Sequence, residues 1–431
     1  MKVCVYGLWH LGSVTAACVA AAGHDVIGLD PDEETIAGLR DGRAPVMEPG
    51  LLELIADARS QRRLDFSDDA AQAVRGCKVL WVTFDTPVDE DDRADTQYVL
   101  ERIKDVLPLL DDGTVVLVSS QLPVGSCAQL EKWAASRAGR RVSFACSPEN
   151  LRLGKAIEVF RDPDRVIVGA RTAEDRKVIQ ELLAPITGRI EWMSVESAEM
   201  TKHAVNAFLA VSVTFANEVA SLCEKVSADA KEVERGLKTE SRIGPRAYLS
   251  PGAAFAGGTL ARDVSFLNRI AEDAGVQGPL LAAVKASNDH HRSWPHRKIQ
   301  EVLGRVAGST VGVWGLTYKP GTDTLRRSSS VELCRWLLGQ GAQVRVHDPA
   351  VKRLPKDLSR IHLSPTPEDA AENADALIVM TGWPEYRQVR LEAVLPRMKE
   401  RNIIDPARIL PASVSGLNNV RYFAVGTDQR Q

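Results

Sequence analysis

The sequence predicts an α/β protein: two doubly wound, parallel-sheet domains joined by a central all-helical domain. Three observations carry this. Strand-like runs alternate with helical stretches over the first part of the chain, and a long strand-poor stretch follows. The alternation then returns before the end. The two alternating parts also echo each other, AGHDVIGLDP against GAQVRVHDP, as β-α-β units of the Rossmann type, each closed by an acidic residue. The expected domains are 1–196, 197–306 and 307–431.

The first strand is expected over Lys2 to Tyr6, followed by a turn and a small-residue helix from Ser13 to Ala22. A second strand, Asp25 to Leu29, ends on Asp30, and further strand-like runs are Val79 to Val82, Thr114 to Ser119 and Val166 to Gly169. From about Ser197 the texture changes. AEMTKHAVNAFLAVSVTFANEVASLCEKV places apolar residues at three- and four-residue spacing and reads as one long helix. Helical pattern continues to about Val306, broken by the glycine- and proline-rich stretch from Gly244 to Gly258. Thr310 to Trp314 is a strand, Ser329 to Leu338 a helix, and Gln343 to His347 a strand closed by Asp348.

At 431 residues the chain exceeds one compact core, and 44% hydrophobic with 26% charged residues is the balance of a globular protein. A net charge of −3 with no basic run argues against a nucleic-acid partner. No apolar stretch is expected to span a bilayer, which needs about 20 residues, so no membrane partner is expected. The N-terminus runs directly into a strand rather than a signal peptide. The seven cysteines (4, 18, 77, 127, 146, 223 and 334) are odd in number, far apart and without a CxxC pair. They imply neither a metal site nor a disulfide framework, but buried thiols in a cytoplasmic protein.

Gly7-Leu8-Trp9-His10-Leu11-Gly12 follows a strand and opens a helix, and Asp30 lies about twenty positions on, as a dinucleotide fingerprint requires. Gly7 permits the tight turn and Gly12 close helix–strand packing, while the helix N-terminus offers N–H groups to a pyrophosphate. Asp30 can accept both ribose hydroxyls and would repel a 2′-phosphate, which favours NAD as cofactor over NADP. The pattern departs at its middle glycine, replaced by Trp9. Taken alone, a strand-turn-helix without a nucleotide has the same pattern.

Several later segments, in order, resemble the UDP-glucose/GDP-mannose dehydrogenase family: EPGLLELI, DTPVDEDDRADTQYV, SPENLRLGKA, EMTKHAVNAFLA…FANEVA, SRIGPRAYLSPGAAFAGGTLARDV, GLTYKPGTDTLRRS and VHDP. The resemblance implies an NAD-dependent oxidation of a nucleotide-sugar C6 alcohol to the acid with two NAD. It also implies an N-terminal NAD domain, a helical middle carrying a homodimer interface, and a C-terminal nucleotide domain. It places Lys202 and Asn206 as a K-x-x-x-N pair on one helix face, Asp263 as general base, and Glu149, the first acidic residue of S-P-E-x-L-R-E, as a catalytic and substrate-binding candidate. Arg262, Arg326, Thr86 and Gln121 fall at the cofactor. Leu151, Tyr248, Pro251, Gly252, Gly257 and Lys319 fall at the substrate, and Arg242 resembles an arginine that reaches a neighbouring subunit's nucleotide.

The family pattern P-G-x-G-F-G-G-S-C-x-P-K-D is here PGAAFAGGTLARD, so Thr259 stands at the nucleophilic cysteine. A threonine hydroxyl has a far higher pKa than a thiol, and an acyl-enzyme on it is not expected. The second acid of S-P-E-x-L-R-E is Leu153, and Gln121 replaces the threonine of S-T-x-P-x-G. These changes cluster where the reacting carbon and nicotinamide would lie. They point to an altered reaction on a retained substrate class, by default UDP-glucose-like: one two-electron oxidation without a thioester. The alternatives are acid formation through an aldehyde hydrate, redox-neutral, epimerase-type use of bound NAD, or a non-catalytic nucleotide-sugar-binding protein.

Overall fold

A computed structural model describes residues 1–427 apart from residues 88, 90–93, 140, 150 and 257. The chain forms two compact units, Met1–Val205 and Asn206–Gln431.

The first unit is built on an eight-stranded sheet ordered β3-β2-β1-β4-β5-β6-β7-β8. Its strands are β1 (Lys2–Tyr6), β2 (Asp25–Leu29), β3 (Leu64–Ser67) and β4 (Val79–Val82), then β5 (Val115–Val118), β6 (Ser143–Cys146), β7 (Val166–Ala170) and β8 (Ile190–Met193). Strands β1 to β6 run parallel, and β7 joins antiparallel to β6 before β8 pairs with it in parallel. This edge is the sheet's departure from the expected parallel pattern; an antiparallel neighbour does not need a full helical crossover. The strands are apolar on both faces because both are covered. In β1, Val3 and Val5 enter one buried cluster while Cys4 and Tyr6 enter the other.

The covering helices are α1 (His10–Ala21), α2 (Glu33–Arg40), α3 (Leu51–Ser60), α4 (Ala70–Val74) and α5 (Thr96–Val106), followed by α6 (Ser126–Trp133), α7 (Ala156–Arg161) and α8 (Ala173–Leu183). The longest helix, α9 (Val195–Val226), begins in the first unit and ends in the second. It is long and apolar enough to cross a membrane by length and composition, contrary to the sequence expectation. Half of its most apolar window is buried inside the protein, so core packing accounts for much of that apolarity.

In the second unit, helices α10 (Ala230–Thr239), α11 (Thr259–Asp273), α12 (Pro279–Arg292) and α13 (Trp294–Leu303) precede a six-stranded parallel sheet. Its strands are β9 (Thr310–Trp314), β10 (Gln343–His347), β11 (His362–Leu363), β12 (Ala376–Val379), β13 (Asn402–Ile404) and β14 (Arg421–Phe423). Helix α14 (Ser329–Gly339) links β9 to β10. The order β11-β10-β9-β12-β13-β14 repeats that of β3-β2-β1-β4-β5-β6, so both halves are doubly wound around the same switch point.

The repeat extends to atoms. Gly7 N–H donates to Leu29 O at 2.8 Å and Leu8 N–H to Asp30 Oδ2 at 2.6 Å. In the second unit Gly315 N–H donates to His347 O at 2.8 Å and Leu316 N–H to Asp348 Oδ2 at 2.7 Å. In each half the acid closing the second strand caps the turn that leaves the first. Over that turn α1 lies so close that a Cβ on Gly12 would sit 1.7 Å from the Gly7 carbonyl oxygen. Gly12→Ala is therefore expected to cost about 2 kcal/mol of stability through overpacking. Chemical denaturation would measure it, and an unchanged midpoint would show that α1 can slide away.

Candidate active site

The fingerprint turn opens onto a cleft of about 330 Å³ lined by Gly7, Leu8, Trp9, Asp30, Asp32 and Thr35 together with Phe84, Asp85, Pro87 and Tyr98. Gly7 has φ +97°, a conformation that favours glycine, and a Cβ there would meet Phe84 at 2.7 Å. Asp30 is buried. Its burial pushes its carboxyl above the usual range, against the opposing pull of the Leu8 and Asp32 N–H groups. No side chain caps the N-terminus of α1 and no acid stands in its first turn, so its positive end is left for an anion. The open cleft, the capped turn and the uncapped helix fit a dinucleotide.

His10 has another partner: its Nε2 lies 2.9 Å from Glu48 Oε2. Glu48 is buried and also accepts from the N–H groups of Gly154 and Ala156, both at 2.8 Å. One carboxylate thus ties α1 to the segment after Glu149. It was not singled out from sequence; an acid just before Pro49-Gly50 was the available signal. Leu11, behind the turn, lines an apolar cavity of about 80 Å³ with Thr15, Trp81, Ser119, Glu149 and Leu151.

Two loops at the ends of β5 and β6 carry further expected residues. Thr86 Oγ1 donates to Gln121 O at 2.6 Å, joining the loop after β4 to the loop after β5. Leu151 N–H donates to Glu149 Oε2 at 2.8 Å. The first turns of α9 clamp both loops. Glu199 accepts from Gly125 N–H at 2.6 Å and Cys127 N–H at 2.9 Å, and His203 Nε2 lies 3.0 Å from Leu122 O. Between them Lys202 Nζ donates to Glu149 O at 2.5 Å and Oε1 at 3.2 Å. Glu199 and His203 were likewise missed, because only the fold shows which loop each meets. Cys146 lines the small cavity between these loops, in hydrogen-bond contact with Cys127, and that bond together with burial pushes the Cys127 thiol up.

In the second unit Asn206, four residues beyond Lys202 on α9, donates its side-chain N–H to Asp263 Oδ2. Asp263 lies fully buried on α11, one turn beyond Thr259. Thr259 is exposed at the first position of α11, with Arg262 partly buried between them. A Cβ on Gly258 would lie 3.6 Å from Arg327 Nη1 and 4.0 Å from the Tyr318 hydroxyl, so the Thr259 loop faces the loop bearing Lys319 and Arg326. Pro251 and Gly252 are buried; Gly252 donates to Asn217 Oδ1 at 2.9 Å, and its carbonyl lies 2.7 Å from His291 Nε2. Arg242 and Tyr248 are exposed, Arg242 pairing with Glu240 at 3.0 Å. Gly257 lies outside the described residues. The second fingerprint-like turn differs from the first: Trp383 Nε1 and Thr317 Oγ1 both donate to Asp348 Oδ2, at 3.1 Å, filling the place an open cleft takes at Asp30. Among the described residues no cluster of three His, Cys, Asp or Glu side chains could hold a metal ion.

Three domains of one family match in sequence. The NAD binding domain of the UDP-glucose/GDP-mannose dehydrogenase family matches residues 1–187, its central domain 196–290 and its UDP binding domain 312–412. The chain belongs to this family. It is 35% identical to a UDP-glucose 6-dehydrogenase of Pseudomonas aeruginosa, over 95% of each chain. It is 33% identical to one of Rhizobium meliloti over 99% of each. A UDP-glucose dehydrogenase structure from Pyrobaculum islandicum superposes with a TM-score of 0.88 at 30% identity, covering 99% of this chain and 98% of that one. As a member of the family the chain is an NAD-dependent nucleotide-sugar dehydrogenase acting on a CH–OH group.

The Glu48 clamp gives this dehydrogenase a pH signature. Burial pushes the carboxyl up, but the hydrogen bonds from His10, Gly154 and Ala156 outweigh it and hold Glu48 below the usual glutamate range. A depressed carboxyl stabilises the fold above its unfolded pKa of about 4.3 and loses that contribution as pH falls further. Glu48→Gln replaces one acceptor oxygen by a second donor and is expected to cost about 2 kcal/mol at pH 7. The difference from wild type should close below about pH 4 in thermal melts; a pH-independent difference would mean that the charge contributes nothing.

Proposed function

We propose that the enzyme performs a single two-electron oxidation of a UDP-hexose, with no covalent intermediate. The observation that carries this is Thr259 at the exposed start of α11, while all seven cysteines are buried elsewhere. A UDP sugar is favoured by the UDP binding domain match and by the UDP-glucose 6-dehydrogenases among its relatives. Bound NAD supplies the hydride acceptor. Lys202 is the electrostatic partner of the alkoxide that forms as the C6 hydroxyl loses its proton, and the adjoining Glu149 carboxylate is the acceptor for that proton. Asn206 holds Asp263 as a second, buried carboxylate on the Thr259 helix.

The experiment is product analysis by mass spectrometry with NAD and a panel of UDP- and GDP-sugars, with NADH followed in parallel. The expected outcome is a C6 aldehyde with one NADH per turnover. Lys202→Met should lower kcat at least about 100-fold while leaving NAD affinity intact. A sugar acid with two NADH would overturn the proposal, as would an isomer without NADH, or no reaction with any sugar.

The assembly we propose is a homodimer in the cytoplasm. Phe208, Phe215 and Leu222 repeat every seven residues along α9, and with Val226 they remain 48 to 71% exposed, a seam that suits a second helix. The free, buried thiols fit a reducing compartment. Light scattering on a sizing column should give a dimer for the wild type and a monomer for Phe208→Glu/Leu222→Glu. A monomeric wild type would end this assignment.

A further inference from the structure

We infer that Trp9 is a positioning residue that covers bound NAD at the mouth of its cleft and slows its departure. This rests on the cleft at Asp30 being the NAD site. The middle fingerprint position ordinarily takes glycine so that the backbone can approach the pyrophosphate. Here Trp9 adopts φ −70° and ψ −150°, an extended conformation open to any residue, so the backbone does not itself demand glycine. The side chain makes no capping hydrogen bond to α1 and stays 52% exposed. An indole on the wall of the cleft offers apolar area and a polar N–H to whatever occupies it.

The chemistry of the wall specifies that occupant. Phe84, Pro87 and Tyr98 continue the apolar lining, whereas Asp30, Asp32 and Asp85 are carboxylates that disfavour phosphate. A pyrophosphate entering this cleft meets repulsion that the positive end of α1 must offset. An aromatic side chain beside that helix end adds a contact area that carries no negative charge, together with an indole N–H donor. Trp9 thus replaces the close backbone approach that glycine would allow with a side-chain contact.

Three proteins decide it: wild type, Trp9→Gly and Trp9→Phe, each checked by its melting temperature. NAD affinity is read by calorimetry, and release by stopped-flow displacement of NADH followed through its own fluorescence. Trp9→Gly is expected to weaken NAD binding and to quicken release roughly tenfold, the scale of one lost aromatic contact. Trp9→Phe should restore most of both. Unchanged affinity and release in Trp9→Gly, with wild type binding NAD, would overturn the role of Trp9 alone. Tighter binding in Trp9→Gly would also overturn it, showing that the indole obstructs the cleft. A wild type that binds no NAD would overturn both this role and the assignment of the cleft.

Discussion

The first turns of α9 are the constraint on which the rest of the first unit's site depends. Glu199, Lys202 and His203 stand three and four residues apart, so they project from one side of the helix. Between them they hold two loops that have no regular structure of their own. The loop after β5 is fixed by a buried carboxylate taking two backbone N–H groups, and the loop after β6 by an ammonium on a carbonyl and a carboxylate. Buried charge of this kind is costly unless matched, and here each charge is matched by loop backbone. Lys202 is therefore itself part of the scaffold that holds these loops.

The acidic residue at the end of the second strand plays one structural part in both halves and a second part in only one. Asp30 and Asp348 each cap the turn that leaves the first strand. At Asp348 the side chains of Thr317 and Trp383 complete the hydrogen bonding from within the unit, and at Asp30 an open cleft remains. The same local sequence, a strand ending in Asp-Pro, thus borders an open cleft in one unit and a closed turn in the other.

The groups that the family resemblance singles out are held separately within each unit. In the second unit Asp263 is buried and bound to Asn206, and in the first unit Lys202 meets Glu149. At the start of α11 stands Thr259, whose hydroxyl lacks the acidity and polarisability that let a thiolate capture a carbonyl. On the function proposed above, Lys202 and Glu149 act on the alcohol, and a second oxidation has no covalent partner in Thr259.

By itself the sequence determined the two doubly wound halves, the central helices and the dinucleotide turn. These follow from local periodicity, glycine placement and a strand-closing acid, all contained in short windows. Family resemblance supplied Lys202, Asn206, Asp263 and Glu149 as candidates, but not their partners. Only the tertiary structure decided that β7 runs antiparallel, that Glu48 ties α1 to a segment about a hundred residues away, and that Asp348 is consumed by Trp383. It also decided that Trp9 faces an open cleft. Each of these depends on contacts between residues far apart in the chain, where local pattern carries no information about which loop meets which helix.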